Sequence, residues 1–116
     1  MQDYRKLLVW QKAHQLAIDA YRLPPHLLKP EAWPLRDQIL RAAISIASNI
    51  AEGSGRGSNP DFVRFLWNSM GSCNELESQL LLGCDLKFIP GELHSTLAEQ
   101  VVEVRRMLTG LIEKLK

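Results

Sequence analysis

Proline and glycine divide this chain into four segments, and none of the segments alternates apolar and polar residues as a half-buried strand would. The breaks lie at residues 24–34, 53–60 and 88–91. Proline disfavours helical geometry at the residue before it, and glycine marks turns, so each break separates two helices. The breaks predict four helices, over about residues 8–23, about residues 34–52, from 58 or 59 to between 83 and 86, and a fourth that follows Pro90.

Apolar residues recur every three or four positions within these segments, which places them on one face of a helix. The last segment is the most regular, with apolar residues at Leu97, Val101, Val104, Leu108, Leu111 and Leu115. Short connections favour antiparallel neighbours. We therefore predict an all-α, antiparallel up-down-up-down four-helix bundle that forms one domain over residues 1–116.

Length and charge limit the kinds of function that this chain can have. A chain of 116 residues with 46% hydrophobic residues is long enough to form a core. Lys and Arg number 14 and Asp and Glu number 13, so overall charge does not attract nucleic acid. No apolar run approaches the ~20 residues that span a bilayer, and residues 1–9 lack the apolar core of a secretory signal. We expect a cytoplasmic protein without membrane contact.

The second predicted helix carries more apolar surface than one core needs. At ~100° per residue its core face holds Leu35, Ile39, Ala42, Ile46 and Ile50. A second face holds Leu40, Ile44, Ala47 and Ala51. A helix at the surface of a lone bundle needs only one apolar stripe. The second face is predicted to contact another subunit, and deep burial of the helix within one bundle is the alternative.

Two helices also carry polar stripes that are short of lysine and glutamate. The stripe on the second helix holds Gln38, Arg41, Ser45, Ser48, Asn49 and Glu52, continued by Arg56. The stripe on the third helix holds Asn68, Ser72, Glu75 and Gln79. If the stripes meet, short polar groups could form hydrogen bonds, and Arg41 or Arg56 could pair with Glu75 or Glu52, because buried charge needs a partner. We predict a polar network that sets helix register or a subunit interface. A groove for a ligand or nucleic acid is the alternative.

Residue types used in catalysis are present, but their spacing does not form a recognisable site. The three histidines lie in separate segments, and no Glu-x-x-His pair for a di-metal site occurs. Cys73 and Cys84, if they share a helix, lie roughly 16 Å apart and cannot form a disulfide bond with each other. We predict no enzymatic activity, no metal, no cofactor and no small-molecule substrate. An enzyme would require Glu52 or Glu75 in a pocket with a perturbed pKa.

The glycine-rich loop at residues 53–58 looks like a phosphate loop, but it lacks the Gly-Lys-Ser/Thr ending and a preceding strand. It is interpreted as a turn in which glycine supplies left-handed geometry at the helix end. An anion held by Arg56 and the start of the third helix is the alternative. Arg105 and Arg106 are adjacent on the fourth helix, where they form either a solvated face or a phosphate clamp. Candidate nucleic-acid contacts are therefore Arg56, Arg105 and Arg106.

Several motifs together point to a family. They are Trp10-Gln11-Lys12-Ala13, Ser48-Asn49-Ile50-Ala51-Glu52-Gly53, Gly71-Ser72, Glu75-Leu76-Glu77 and Gln79-Leu80. The chain resembles the small bacterial "four helix bundle protein" family, also called ribosomal RNA intervening-sequence proteins, and the likeness is strongest from residue 38 to residue 80. Two positions depart from the usual pattern, because Pro34 stands where glycine is common and Ala47 where proline is common.

The resemblance implies an antiparallel bundle that forms a ring-shaped homopentamer. The family takes its name from genes that lie inside intervening sequences of large-subunit ribosomal RNA, which is a genetic location rather than an activity. The chain is distantly similar to accessory variability proteins of diversity-generating retroelements, whose pentamers bind nucleic acid and a reverse transcriptase. We predict a non-enzymatic, pentameric scaffold or nucleic-acid-associated protein. The alternative is a specific RNA- or DNA-binding accessory protein that uses a basic surface of the ring.

Overall fold

The computed structural model describes residues 3–116, and the regular secondary structure of these residues is entirely helical. The four α-helices are α1 (Leu8–Tyr21), α2 (Trp33–Ser54), α3 (Asn59–Asp85) and α4 (Gly91–Leu115). Short 3-10 helices cover Tyr4–Lys6, Pro25–Leu28 and Pro30–Ala32. No strand occurs within residues 3–116. The predicted all-α class and the four helices are confirmed, and each observed boundary lies within two or three residues of its prediction.

The helices form a closed antiparallel bundle. Lys12 pairs with Glu103 at 3.4 Å and Gln100 donates to Asp19 at 3.1 Å, so numbers rise along α1 as they fall along α4. Residues 55–58 connect α2 to α3, and residues 86–90 connect α3 to α4. Connections this short make consecutive helices run antiparallel. Each helix packs against two neighbours, and the described part of the chain measures 44 × 21 × 20 Å.

The core runs along the axis of the bundle and is almost wholly aliphatic. On α4 the buried residues are Leu97, Val101, Val104, Leu108 and Ile112. Leu111 and Leu115, the last two residues of the predicted row, are half-buried and pack against the edge of this core. A straight helix has 3.6 residues per turn and drifts by ~20° per heptad from a strict seven-residue repeat. The drift turns Ile112 toward the core in place of Leu111.

The glycines between α2 and α3 do not act as predicted. The cap of α2 is Gly55, with a φ of −85°, and no described glycine has a positive φ, so the prediction of left-handed geometry was wrong. Gly53 is required for a different reason. A Cβ at this position would lie 2.7 Å from Phe65 Cβ and 2.8 Å from Phe62 Cδ1. Gly53 therefore lets α2 and α3 approach closely where the two helices turn.

Left-handed geometry occurs instead at Lys87, whose φ is 65°. The Lys87 amide donates to the Cys84 carbonyl at 3.0 Å, and the Phe88 amide donates to the Gly83 carbonyl at 2.9 Å. This pair of hydrogen bonds is the Schellman motif, which satisfies carbonyls at the end of a helix. The motif turns the chain from α3 into α4.

Of the helices in residues 3–116, none combines the length and the apolar character needed to cross a bilayer.

Candidate assembly surfaces and polar seam

The two predicted polar stripes lie side by side along the contact between α2 and α3, and we call this line the polar seam. At its centre the hydroxyls of Ser45 and Ser72 are 2.8 Å apart. Asn49 Nδ2 donates to the Ser45 carbonyl at 2.9 Å and to Ser45 Oγ at 3.0 Å. Ser72 is buried, and Ser45 and Asn49 are half-buried. The structure therefore brings three predicted stripe residues into one hydrogen-bonded group.

The remaining stripe residues do not join this group. The exposed members without a side-chain hydrogen bond or ion pair within residues 3–116 are Gln38, Arg41, Ser48, Asn68 and Glu75. Gln79 is half-buried, and its Oε1 has no hydrogen-bond partner in the described part of the chain. Arg56 pairs with Glu52 at 2.8 Å, as one of the considered pairings proposed, and also approaches Asp61 at 3.9 Å. The pairing of Arg41 with Glu75 does not occur.

Sequence reasoning missed Ser69, which is fully buried between α2 and α3. Its hydroxyl donates to the Ile46 carbonyl at 2.8 Å. A signal was present, because Ser69 stands at core spacing between Leu66 and Cys73. A serine on a core face commonly returns its hydroxyl to a backbone carbonyl, since a buried hydroxyl needs a partner.

The predicted second apolar face of α2 is divided between the interior and the surface. Leu40 and Ala47 are only 9% and 8% exposed. Ile44 is 50% exposed, and Ala51 is half-buried. The helices of one chain cover part of this face and leave Ile44 open to solvent.

Ile44 opens into a depression between α1 and α2, which we call the α1–α2 groove. Its lining includes Tyr4, Trp10, His14, Ile44, Ser48 and Ala51, and its volume is about 400 Å³. The rings of Trp10 and His14 stack with centroids 4.6 Å apart, and Tyr4 meets Trp10 edge-on at 4.9 Å. Among the described residues, no Lys, Arg, Asp or Glu lines the groove. The groove is thus an aromatic and aliphatic depression at the surface.

A second surface with exposed apolar residues lies on α3, and we call it the α3 face. It consists of Trp67, Gly71, Ser78, Leu81 and Leu82, all exposed at spacings that share one side of a helix. Trp67, Leu81 and Leu82 are 52%, 51% and 49% exposed. The sequence signal is that residues 65–74 contain no charged residue, although this segment is in the middle of a surface helix. The sequence analysis did not identify this face.

The outward side of α4 has the opposite character and serves as an internal reference. Its exposed residues include Glu92, Glu99, Glu103, Arg106 and Glu113. Such a charged row is the usual solvated side of a helix. The α3 face and the α1–α2 groove therefore differ from a surface that is adapted to water alone.

Two of the three candidate nucleic-acid contacts are already paired inside the chain. Arg105 binds Glu77 at 2.9 Å and Asn74 at 3.0 Å. The hydrogen bond from Arg105 holds the pKa of the Glu77 carboxyl below its usual value, and the same bond raises the pKa of Arg105. Arg56 is held by Glu52. Arg106 is exposed and has no ion pair within residues 3–116.

The residues with catalytic potential do not assemble into one place. Glu52 and Glu75 are both exposed on the surface rather than held in a pocket. Cys73 is buried, and burial raises the pKa of its thiol to about 12, so the thiol stays protonated at neutral pH. Cys73 and Cys84 are both free cysteines. In the part of the chain that the structure describes, no three His, Cys, Asp or Glu residues are grouped closely enough to hold a metal ion.

Comparison with known proteins places this bundle in a family. The chain is similar to a solved crystal structure of a protein with unknown function from the S23 ribosomal protein family of Bacteroides thetaiotaomicron VPI-5482. The two share 26% sequence identity and superpose with a TM-score of 0.84, over 90% of this chain and 98% of that one. No curated protein matches the chain. The pattern of the family described as 23S rRNA-intervening sequence protein matches residues 5–110, a description that names no catalytic activity. The chain belongs to the 23S rRNA-intervening sequence protein family.

Proposed function

We propose that this chain is a non-enzymatic helical-bundle protein that works as a homo-oligomer, with five copies in a ring, and that it serves as a scaffold. The observation that carries the proposal is the α1–α2 groove, an uncharged, aromatic-lined depression that one chain leaves open. Exposed apolar surface of this kind marks sites of association. The number five comes from the family resemblance.

The composition of the groove supports a protein partner. The centre of a protein interface is poor in charged residues and rich in aromatic ones, and the groove contains Tyr4 and Trp10 without Lys, Arg, Asp or Glu. Ile44 is 50% exposed, so covering its remaining surface contributes about 1 kcal/mol per copy. A side of the bundle, 44 Å long and about 20 Å wide, offers on the order of 900 Å², close to the ~800 Å² that each partner contributes to a standard interface.

The proposal is tested by sedimentation velocity of the wild type and of Ile44→Arg over a dilution series. We expect the wild type to sediment as one oligomer and Ile44→Arg to sediment at the 13.2 kDa of a single chain. Gly110→Arg is the matched control, because it adds the same side chain to an exposed helix position on the charged side of α4, where a Cβ meets nothing within 4 Å. A wild type that is monomeric at every concentration would contradict the proposal.

Nucleic-acid binding by the ring is the second candidate. It is supported by Arg106, which is exposed without an ion pair within residues 3–116 and would recur once per subunit. The test is fluorescence anisotropy of labelled structured RNA and duplex DNA across a salt series. Phosphate contacts predict that affinity falls steeply as salt rises and that Arg106→Ala reduces the slope. Absence of binding at low salt, with the oligomer intact, would rule this function out.

A further inference from the structure

We propose that the α1–α2 groove of one copy receives the α3 face of the next copy, so that the subunits associate head to tail. This inference rests on the proposed function, because it names the two surfaces through which the oligomer forms. The groove then binds a second copy of this chain.

The first argument is complementary shape and chemistry. The groove is a depression of about 400 Å³ with aromatic walls and Ile44 on its α2 side. The α3 face presents Trp67, Leu81 and Leu82, each about half exposed, on one convex helix surface. Apolar side chains on each surface gain by leaving water together. Exposed Glu75 lies one turn from Gly71, so the apolar contact is centred on Trp67, Leu81 and Leu82.

The second argument is Gly71, which lies in the middle of a 27-residue helix. Glycine weakens a helix interior relative to alanine. No contact within residues 3–116 explains this glycine, because a Cβ would meet no described atom within 4 Å and its φ is not positive. Gly53 and Gly83, in contrast, are both required by neighbouring side chains. Close approach of a neighbouring copy's helix to α3 provides a reason for glycine at position 71.

Open space alone does not set Gly71 apart from Gly110. Gly110 too is an exposed helical glycine whose Cβ would meet nothing within 4 Å. It lies on the α4 side that carries Arg106 and Glu113, whereas Gly71 lies beside exposed Trp67 in an uncharged segment. Gly110 is therefore a matched reference for Gly71 on a surface that we assign to solvent.

The third argument is symmetry. The groove and the α3 face are different patches on different helices, so one subunit can use its groove toward one neighbour and its α3 face toward another. Contacts between unlike patches generate rings when the rotation closes. A patch that paired with itself would produce a twofold dimer instead, so the unlike pairing agrees with a ring.

The test is a complementation experiment with two blocked variants. Ile44→Arg blocks the groove and keeps the α3 face, whereas Gly71→Arg blocks the α3 face and keeps the groove. Both positions are solvent-accessible, so both variants should fold, which far-UV circular dichroism and thermal unfolding check. Masses are measured by size exclusion with light scattering for each variant alone, for an equimolar mixture and for Gly110→Arg.

We expect each blocked variant to be a monomer of 13.2 kDa and the mixture to form a one-to-one complex of twice that mass, because only one intact pair of surfaces remains. Gly110→Arg should keep the wild-type mass. If Gly71→Arg keeps the wild-type mass, or if the mixture stays monomeric, the head-to-tail pairing is wrong while the oligomer stands. If the wild type itself is monomeric, the proposed function fails together with this inference.

Discussion

Replacement of Gly53 by alanine tests the closest approach in the fold, where the end of α2 meets the start of α3. The added Cβ would lie 2.7 Å from Phe65 Cβ and 3.3 Å from the Phe62 carbonyl oxygen. Neither atom is at the flexible end of a side chain, so the two helices must move apart to admit the methyl group. Gly110→Ala adds the same methyl group to a helix position where nothing lies within 4 Å.

The expected magnitude follows from two opposing effects. Alanine is favoured over glycine in a helix interior by about 1 kcal/mol, and this gain is smaller for Gly53→Ala because Gly53 is the second-last residue of α2. Overpacking a tight contact costs about 1–3 kcal/mol and applies only to Gly53→Ala. Both effects act in the same direction, so Gly53→Ala should be less stable than Gly110→Ala by about 1–3 kcal/mol. At roughly 4 °C per kcal/mol for a domain of this size, the gap in Tm is about 4–12 °C.

The assay is urea unfolding followed by far-UV circular dichroism, with both variants at the same protein concentration because assembly makes apparent stability depend on concentration. Tm values from thermal scans give an independent comparison. Equal stability of Gly53→Ala and Gly110→Ala would refute the close approach of α2 and α3 at this glycine.

Three further predictions concern single side chains. Lys87→Gly should raise the free energy of unfolding in urea by about 1 kcal/mol, because glycine adopts the positive φ without strain, and no gain would contradict the left-handed assignment. The hydrogen bond from Arg105 lowers the pKa of the Glu77 carboxyl. The stability that this pair contributes is therefore fully present at pH values above the ordinary pKa of 4.5 and is lost as the pH falls through the lowered pKa of the folded protein. Thermal unfolding should therefore show Glu77→Gln less stable than wild type at neutral pH, with a gap that narrows in acid, and a constant gap would count against the pair. Cys73 is buried, and burial raises the pKa of its thiol to about 12, so Cys73 should resist alkylation in the folded protein while half-buried Cys84 reacts first. Mass spectrometry that finds Cys73 alkylated before Cys84 would contradict the burial of Cys73.

The helices were predictable from the sequence because their ends depend on local chemistry. Proline at positions 24, 34, 60 and 90 stands at helix boundaries for reasons that involve only neighbouring residues. The left-handed backbone conformation of Lys87 was not predictable, because lysine does not favour a positive φ. The conformation accompanies the packing of Ile89 against Gly83, which the sequence does not show. The choice of Ile112 over Leu111 also depends on the accumulated rotation of a straight helix.

The candidate site was predictable only in part. The α2 and α3 stripes could be recognised from residue type and spacing, and Ser45 and Ser72 indeed meet. Whether Arg41 pairs with Glu75 depends on the distance of each side chain from the contact between α2 and α3. The spacing of residues along the sequence does not give this distance. The α3 face was not predicted, because a segment without charged residues indicates an interface only when it is known which of its residues are exposed.

The same limit explains the second apolar face of α2. Its four residues could be grouped by spacing, but Leu40 and Ala47 are buried within one chain whereas Ile44 is exposed. Sequence periodicity shows that a face is apolar, and only the arrangement of neighbouring helices shows which part of it stays open. The open part, together with Trp10 and His14, defines the α1–α2 groove.

Native mass spectrometry of the wild-type protein is the most direct test of the central claim that this bundle assembles with copies of itself. The account predicts one dominant species whose mass is five times the 13.2 kDa of the chain. A different closed number of copies would correct the ring size and keep the assembly. A single dominant species at the mass of one chain, under conditions that preserve non-covalent complexes, would contradict the account.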